Sequence, residues 1–312
     1  MKVRRGRWNR QKKILVLGSL IMDLSVRCRQ APREGETVYT DDDYQANPGG
    51  KGGNQAVAAA RAGAEVVLLG RIADDDYGRA LKESFHRDRI DTSRLITDSS
   101  AKTGTAFVWV EENGGNRCLC SLGVNGRNRP EDFIQYESLF QESQIVLTTL
   151  EYSKEVLDQV TKMAKQSGCL LIVDPSANDY SKLTPEIAER IDILKPNEVE
   201  TEMLTGIAVL SPEDAAKAVK RLKEMGIKTP IVSMGSQGVV YDYQGQIIHE
   251  PGIEIQAVDT TAAGDTFIGS LAARLSLGKE FPEAVRYANR AASLCVQKKG
   301  AQSSIPFMED VL

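Results

Sequence analysis

The sequence predicts an α/β fold: a doubly wound, mostly parallel central sheet with flanking helices, plus a small β-sheet lid. Three observations carry the prediction. Short, continuous apolar runs recur along the chain, as strands buried on both faces of a parallel sheet require. Between them lie segments with helical apolar spacing and cap residues at their ends. Two other stretches, residues 24–44 and 105–122, alternate with period two instead. With 312 residues and 41% hydrophobic content the chain can bury a large core, and one α/β domain with an appended subdomain suits that length.

In chain order, residues 1–12 carry Lys2, Arg4, Arg5, Arg7, Arg10 and Lys12 and read as a basic, disordered arm. One domain, 13–312, follows. Ile14-Leu15-Val16-Leu17-Gly18 is its first central strand, and Val66–Gly70, Ile145–Leu147, Leu170–Val173 and Pro230–Ser233 are later ones. Helices are expected over Asp76–Asp88, Lys154–Gln166, Pro212–Met225 and Asp265–Ser276. The clearest is Pro212–Met225, with Ser211 as N-cap, Pro212 at N1, Glu213 and Asp214 in the first turn and Gly226 after the end. The lid strands fall at about 24–46 and 103–123, with Glu112-Asn113-Gly114-Gly115 as a turn.

Net charge is −4, so nothing global draws the chain to nucleic acid or to an anionic membrane. No apolar stretch is long enough to span a bilayer. Five cysteines, an odd number, and no secretory leader point to a reducing cytoplasm. Cys118 and Cys120 share one strand face and read as packing rather than a metal clip, because His86 and His249 lack ligand spacing to them.

Two glycine-containing segments carry the chemistry. Gly49-Gly50-Lys51-Gly52-Gly53-Asn54-Gln55 precedes an Ala-rich helix, so backbone can approach a ligand while Lys51 and Asn54 supply donors. It is not a Walker A loop, since Gln45 and Gly52 stand where Gly and Ser or Thr are required. It is not a dinucleotide fingerprint either, since Gln55 replaces the last Gly and no Gly-rich turn follows the first strand. His86-Arg87-Asp88 mimics a protein-kinase triplet, but Ser93 stands where Asn is needed. The second segment, Val258–Gly269, ends a run of small residues in Asp265 at a helix start. Unpaired N–H groups there form an anion hole for a phosphoryl group, with Asp265 as proton acceptor. From residue chemistry alone, Asp265 is equally well a helix cap.

Gly49–Ala56 and Asp259-Thr260-Thr261-Ala262-Ala263-Gly264-Asp265-Thr266-Phe267 closely resemble the two signatures of the ribokinase-like (PfkB) carbohydrate kinases. Shorter matches at Lys195–Glu200, Ser233–Gly238 and Lys299–Ser304 follow in the same order, and the likeness runs from about Ile14 to Pro306. It implies ATP-dependent phosphorylation of a primary sugar hydroxyl, with Asp265 as base and Ala262, Ala263 and Gly264 forming the anion hole. Asp23, Gly50, Lys51, Asn54 and Glu151 would bind the sugar together with Asp265. Asn197, Ser233, Gly235, Ser236, Gly238, Gly264 and Asn289 would bind ATP, and Glu200 would hold Mg2+ through water. A K+ site would use Asp259, Thr261, Cys295, Lys298, Gly300 and Ser304, and a homodimer would form through the lid. Ile21 departs from the pattern. Members acting on ribose have Asn there and a deoxyribose-kinase subset has an apolar residue, so ribose is the first expectation and 2-deoxyribose or another small sugar the alternative. A non-catalytic sugar-binding descendant and a nicotinamide-dependent oxidoreductase are the rival classes. The first would be expected to lack Asp265, Asn197 or Glu200, and the second needs the absent Gly-rich turn.

Overall fold

The computed structural model describes residues 13–112, 115–176 and 179–312. The basic arm and the centre of the expected 112–115 turn lie outside the described residues. Strand β1 (Lys13–Leu17) shows why apolar runs here are continuous. Ile14 and Val16 point into one hydrophobic layer, Leu15 and Leu17 into another, and all four are fully buried.

After β1 the chain leaves the main sheet. Strand β2 (Ile21–Cys28) pairs antiparallel with β3 (Gln45–Gly49), an edge strand that tolerates Pro48. Helix α1 (Lys51–Arg61) then packs against the main sheet and leads into β4 (Glu65–Leu69), parallel to β1. A two-stranded ribbon of β5 (Arg71–Ala73) and β6 (Ile96–Asp98) brackets α2 (Asp76–Arg87). Strands β7 (Gly104–Glu111) and β8 (Asn116–Ser121) complete a small sheet in the order β3-β2-β7-β8. Its central pair, β2 and β7, is parallel and the outer pairs are antiparallel.

Beyond the short helices α3 (Pro130–Ile134) and α4 (Glu137–Glu142), the chain re-enters the main sheet at β9 (Ile145–Thr149). It crosses through α5 (Lys154–Ser167) to β10 (Leu170–Asp174) and past α6 (Pro185–Ala188) to β11 (Ile193–Leu194). Helices α7 (Glu198–Thr205) and α8 (Pro212–Glu224) precede β12 (Thr229–Ser233), and the hairpin β13 (Val239–Tyr243) and β14 (Gln246–Glu250) closes that edge. Helices α9 (Ala263–Ser276), α10 (Phe281–Cys295) and α11 (Met308–Val311) end the chain. The main sheet runs β14-β13-β12-β11-β10-β9-β1-β4, parallel except at the hairpin edge.

Caps behave as read: Ser211 accepts the Asp214 N–H at 3.2 Å, and Ser153 does the same for α5 from Val156 at 3.3 Å. Two expectations are corrected. Residues 24–44 supply only part of the small sheet, because β2 starts earlier, at Ile21, its antiparallel partner β3 starts at Gln45, and residues 29–44 contain no strand. Val38 and Tyr39 alternate with polar neighbours, but Tyr39 is 91% exposed and has no apolar layer to cover. Helix α9 starts at Ala263 rather than Asp265, since small residues with no side-chain cap carry its first turn.

Candidate active site

Five adjacent parallel strands, β12, β11, β10, β9 and β1, end along one edge of the main sheet. At or just after their carboxyl ends stand Ser233, Lys195, Asp174, Glu151 and Ser19. Open α/β sheets place their ligand crevices at this edge. The first turns of α1 and α9 meet there, as the side-chain contacts below show.

Asp265 is third in α9 and 6% exposed. Its Oδ2 accepts Asn54 Nδ2 and its Oδ1 accepts Gln55 Nε2, each at 3.0 Å. The same Gln55 nitrogen donates to Asp174 Oδ2 at 3.0 Å. Asp174 Oδ1 accepts the Ser176 N–H at 3.0 Å, and the Ser176 hydroxyl lies 2.6 Å from that oxygen and 2.9 Å from Glu200 Oε1. One polar chain therefore joins Asp265 to Glu200. Burial pushes the Asp265 carboxyl above its usual range, and the neighbouring Asp174 adds to that against the pull of Lys51. Burial opposes ionisation of Asp174 too, but Lys51, Lys195 and the Ser176 bonds hold it below the usual range.

The anion hole is smaller than the sequence suggests. Ala262 adopts φ 61°, ψ 8°, a left-handed conformation that costs about 1–3 kcal/mol for a non-glycine residue. This bend turns the chain so that Ala263 N–H bonds the Thr260 carbonyl at 3.2 Å. Ala262, Gly264 and Asp265 keep N–H groups without an acceptor among the described residues. Ala263 is thus a correction: its N–H closes the turn instead of facing a ligand.

Asp23 lies on β2 against Gly49, where a Cβ would come within 2.1 Å of Asp23 Oδ2, so that neighbour has room only as glycine. Burial, with the nearby Asp265, pushes Asp23 up to about 6. Ile21 sits two residues earlier on the same face of β2 and is 5% exposed. Gly50, at φ 79°, opens α1. Lys51 follows it: burial works against its charge, but Asp174, Asp265, Glu151 and Glu200 outweigh that and hold its ammonium above its ordinary pKa. Glu151 accepts the Ser19 hydroxyl and the Thr149 hydroxyl at 3.0 Å each, and burial raises its carboxyl. Asn54 differs from expectation in polarity. Its amide hydrogens face Asp265, and its Oδ1 is buried with no partner, so it offers an acceptor.

Further along the edge, Asn197 and Glu200 cap α7 reciprocally, Glu200 N–H to Asn197 Oδ1 at 2.8 Å and Asn197 N–H to Glu200 Oε2 at 2.9 Å. Ser233 N–H bonds the Pro196 carbonyl at 2.9 Å, which sets the Ser233–Gly238 loop beside that cap. Gly235 (φ 49°) and Gly238 (φ 88°) shape the loop, and the Ser236 carbonyl packs against Gly252. Asn289 Nδ2 donates to the Pro251 carbonyl at 2.8 Å, next to Gly252. Asp259 accepts the N–H groups of Thr261 and Gly300 at 2.9 Å each, while Cys295 Sγ lies 3.0 Å from Ser304 Oγ and 3.7 Å from the Thr261 carbonyl. Lys298 is exposed and touches this cluster through its N–H, bonded to the Cys295 carbonyl at 3.1 Å.

Four residues of the site, Gln55, Asp174, Ser176 and Lys195, have no role in the sequence reading. For Asp174 and Lys195 the available signal was position alone, since each stands at the carboxyl end of a parallel strand.

The family model described as pfkB family carbohydrate kinase matches residues 11–308. The chain is 37% identical over 302 residues to the ribokinase of Haemophilus influenzae, covering 97% of this chain and 98% of that protein. It is 31% identical over 296 residues to the deoxyribokinase of Salmonella typhi, covering 95% and 96%. The structure of Arabidopsis thaliana ribokinase complexed with ribose and ATP superposes with a TM-score of 0.89 at 32% identity, covering 96% of this chain and 97% of that one. The fold, the strand-end crevice and these full-length likenesses agree, and the chain belongs to the pfkB family of carbohydrate kinases.

Proposed function

We propose that this protein is an ATP-dependent kinase that phosphorylates the primary hydroxyl of a small sugar, D-ribose at its 5-OH. The observation that carries the reading is Asp265: a buried carboxylate of raised pKa beside the free N–H groups of its own helix start. Asp265 accepts the proton of the attacking hydroxyl, and the Gly264 and Asp265 N–H groups donate to the phosphoryl oxygens. Asp23, Lys51, Glu151 and the orphaned Asn54 Oδ1 hold the sugar hydroxyls, with Gly50 letting backbone approach. The small sheet, which carries Asp23, acts as the lid that excludes water.

Asn197 with the Ser233, Gly235, Ser236 and Gly238 loop and Asn289 forms the ATP side. Mg2+ fits beside Glu200, a lone carboxylate already anchored on two sides: among the described residues no three acidic, His or Cys groups converge as a dry metal cage. Bound there through water, it would neutralise phosphate charge. The Asp259, Thr261 and Ser304 oxygens fit a monovalent cation such as K+. Phe107 and Leu119, cross-strand neighbours that are 41% and 63% exposed on the open small sheet, support pairing of two copies through it, which sedimentation equilibrium would report as a dimer. Among the described residues no helix is long and apolar enough to cross a membrane.

ADP release measured against ribose, 2-deoxyribose and fructose tests the function. Ribose is expected to give the highest kcat/KM, and no sugar-dependent ADP release with any of them would sink the kinase reading in favour of a binding protein. Ile21 favours 2-deoxyribose as a second reading, because an apolar side chain on the Asp23 face leaves a hydroxyl unpaired at about 1–3 kcal/mol. The Ile21→Asn variant is expected to move the ribose to 2-deoxyribose ratio toward ribose by roughly ten-fold or more. An unchanged ratio would remove Ile21 as a specificity position.

A further inference from the structure

We infer that Lys195 is a phosphoryl-contacting residue, the ammonium that completes the anion hole at the start of α9. This rests on the kinase reading and adds a residue to it. Lys195 follows β11 directly and is 4% exposed; its N–H bonds the Val173 carbonyl at 3.2 Å, yet its ammonium makes no hydrogen bond or ion pair among the described residues. The field of Asp174 offsets part of the cost of holding this charge in a buried residue, but its hydrogen-bond donors stay unused.

Its position says where the anion would sit. A Cβ built on Gly264 would lie 3.0 Å from Lys195 Nζ, so the ammonium stands directly over the residue whose N–H is free. Three donors, Lys195 Nζ and the N–H groups of Gly264 and Asp265, thus converge on one spot beside the Asp265 carboxylate. Lys51 is a contrast. Four carboxylates bear on its charge, whereas Asp174 is the carboxylate on which Lys195 bears, and among the described residues none lies within ion-pair distance of Lys195. The residue at 264 lacks a side chain, which keeps the approach open, and Pro196 restrains the backbone of Lys195 to an extended form.

The ligand class that fits is a terminal phosphoryl group, whose charge spreads over its equatorial oxygens as it leaves the nucleotide. Lys195 donates a hydrogen bond to one of them and exchanges no proton.

In Lys195→Met, kcat is expected to fall by roughly 10²–10³, with the sugar KM within about two-fold of wild type. Calorimetry supplies a second reading. Affinity for a non-hydrolysable ATP analogue should fall about ten-fold, while affinity for ADP, which lacks the third phosphate, stays the same. Equal losses for analogue and ADP, or an unchanged kcat, would make Lys195 only a counter-charge for Asp174 and overturn the inference. Should the variant not fold, the wild-type 15Nζ resonance of Lys195 is expected to shift with the analogue and not with ADP, and a shift with both or with neither also overturns it. A wild type that phosphorylates no sugar would defeat the kinase reading, while the comparison of analogue with ADP still judges Lys195 by itself.

Discussion

Replacing Asp265 by Asn is expected to lower kcat by roughly 10²–10⁴, the usual worth of a positioned general base. Steady-state ADP release checks it, and a variant retaining more than about a tenth of wild-type turnover would remove Asp265 as the base. The fold should survive, because Asn keeps the volume. The geometry does object in one respect: both oxygens of Asp265 accept from amides, so an Asn amide must set its own NH2 against either Asn54 or Gln55. A melting curve therefore accompanies the kinetics. The substitution has a second readout at Asp23, whose carboxyl is pushed up to about 6 first by burial and then by the charge of Asp265. Its folded value lies above the ordinary value near 4, so its share of stability is present below about 4 and is lost as pH rises toward 6. Removing the like charge should move the Asp23 midpoint down, as followed by carboxyl NMR. An unmoved midpoint would mean that burial alone sets it.

Lys51→Met should damage the protein more broadly. Four carboxylates, those of Asp174, Asp265, Glu151 and Glu200, bear on that one ammonium. Removing that charge leaves buried carboxylates without their counter-charge, a loss of up to about 3–5 kcal/mol when such a partner is deleted. The loss should depend on pH with a definite sign. Without Lys51 the folded-state carboxyl pKa values rise, so the variant keeps its stability at low pH and loses it as pH climbs through those raised values. Thermal melts at pH 4.5 and 7.5 should show a small gap from wild type at the lower pH and a wide one at the higher. An equal gap at both would show that Lys51 packs by its aliphatic stem rather than by its charge. Sugar turnover should fall as well, since the same ammonium is proposed to hold the sugar hydroxyls.

What the sequence reveals follows from how each part is built. The Gly49–Asn54 and Asp259–Asp265 segments are legible because anion holes and close backbone approach need runs of small residues, which are contiguous. Asn197 and Glu200 are legible only through the family resemblance, and the reciprocal cap they form across one helical turn appears only in the structure. Asp174, with Ser176 two residues on, and Lys195 stand at the carboxyl ends of separate strands, β10 and β11, and only the parallel sheet brings them together. The left-handed Ala262 also escapes notice, because an alanine gives no sign of the backbone it adopts. Residues 29–44 show the opposite failure, since alternation without a neighbouring strand or a buried face does not make a strand.

The polar chain from Asp265 through Gln55, Asp174 and Ser176 to Glu200 has a consequence for substrate order. Its two ends belong to the proposed sugar and nucleotide sides, and one nitrogen of Gln55 donates to both Asp265 and Asp174. A ligand that breaks one of these bonds changes what the next member of the chain must satisfy, so coupling between the two ends is expected. Reciprocity then fixes the bookkeeping: whatever factor the sugar adds to nucleotide affinity, the nucleotide returns to sugar affinity in equal measure.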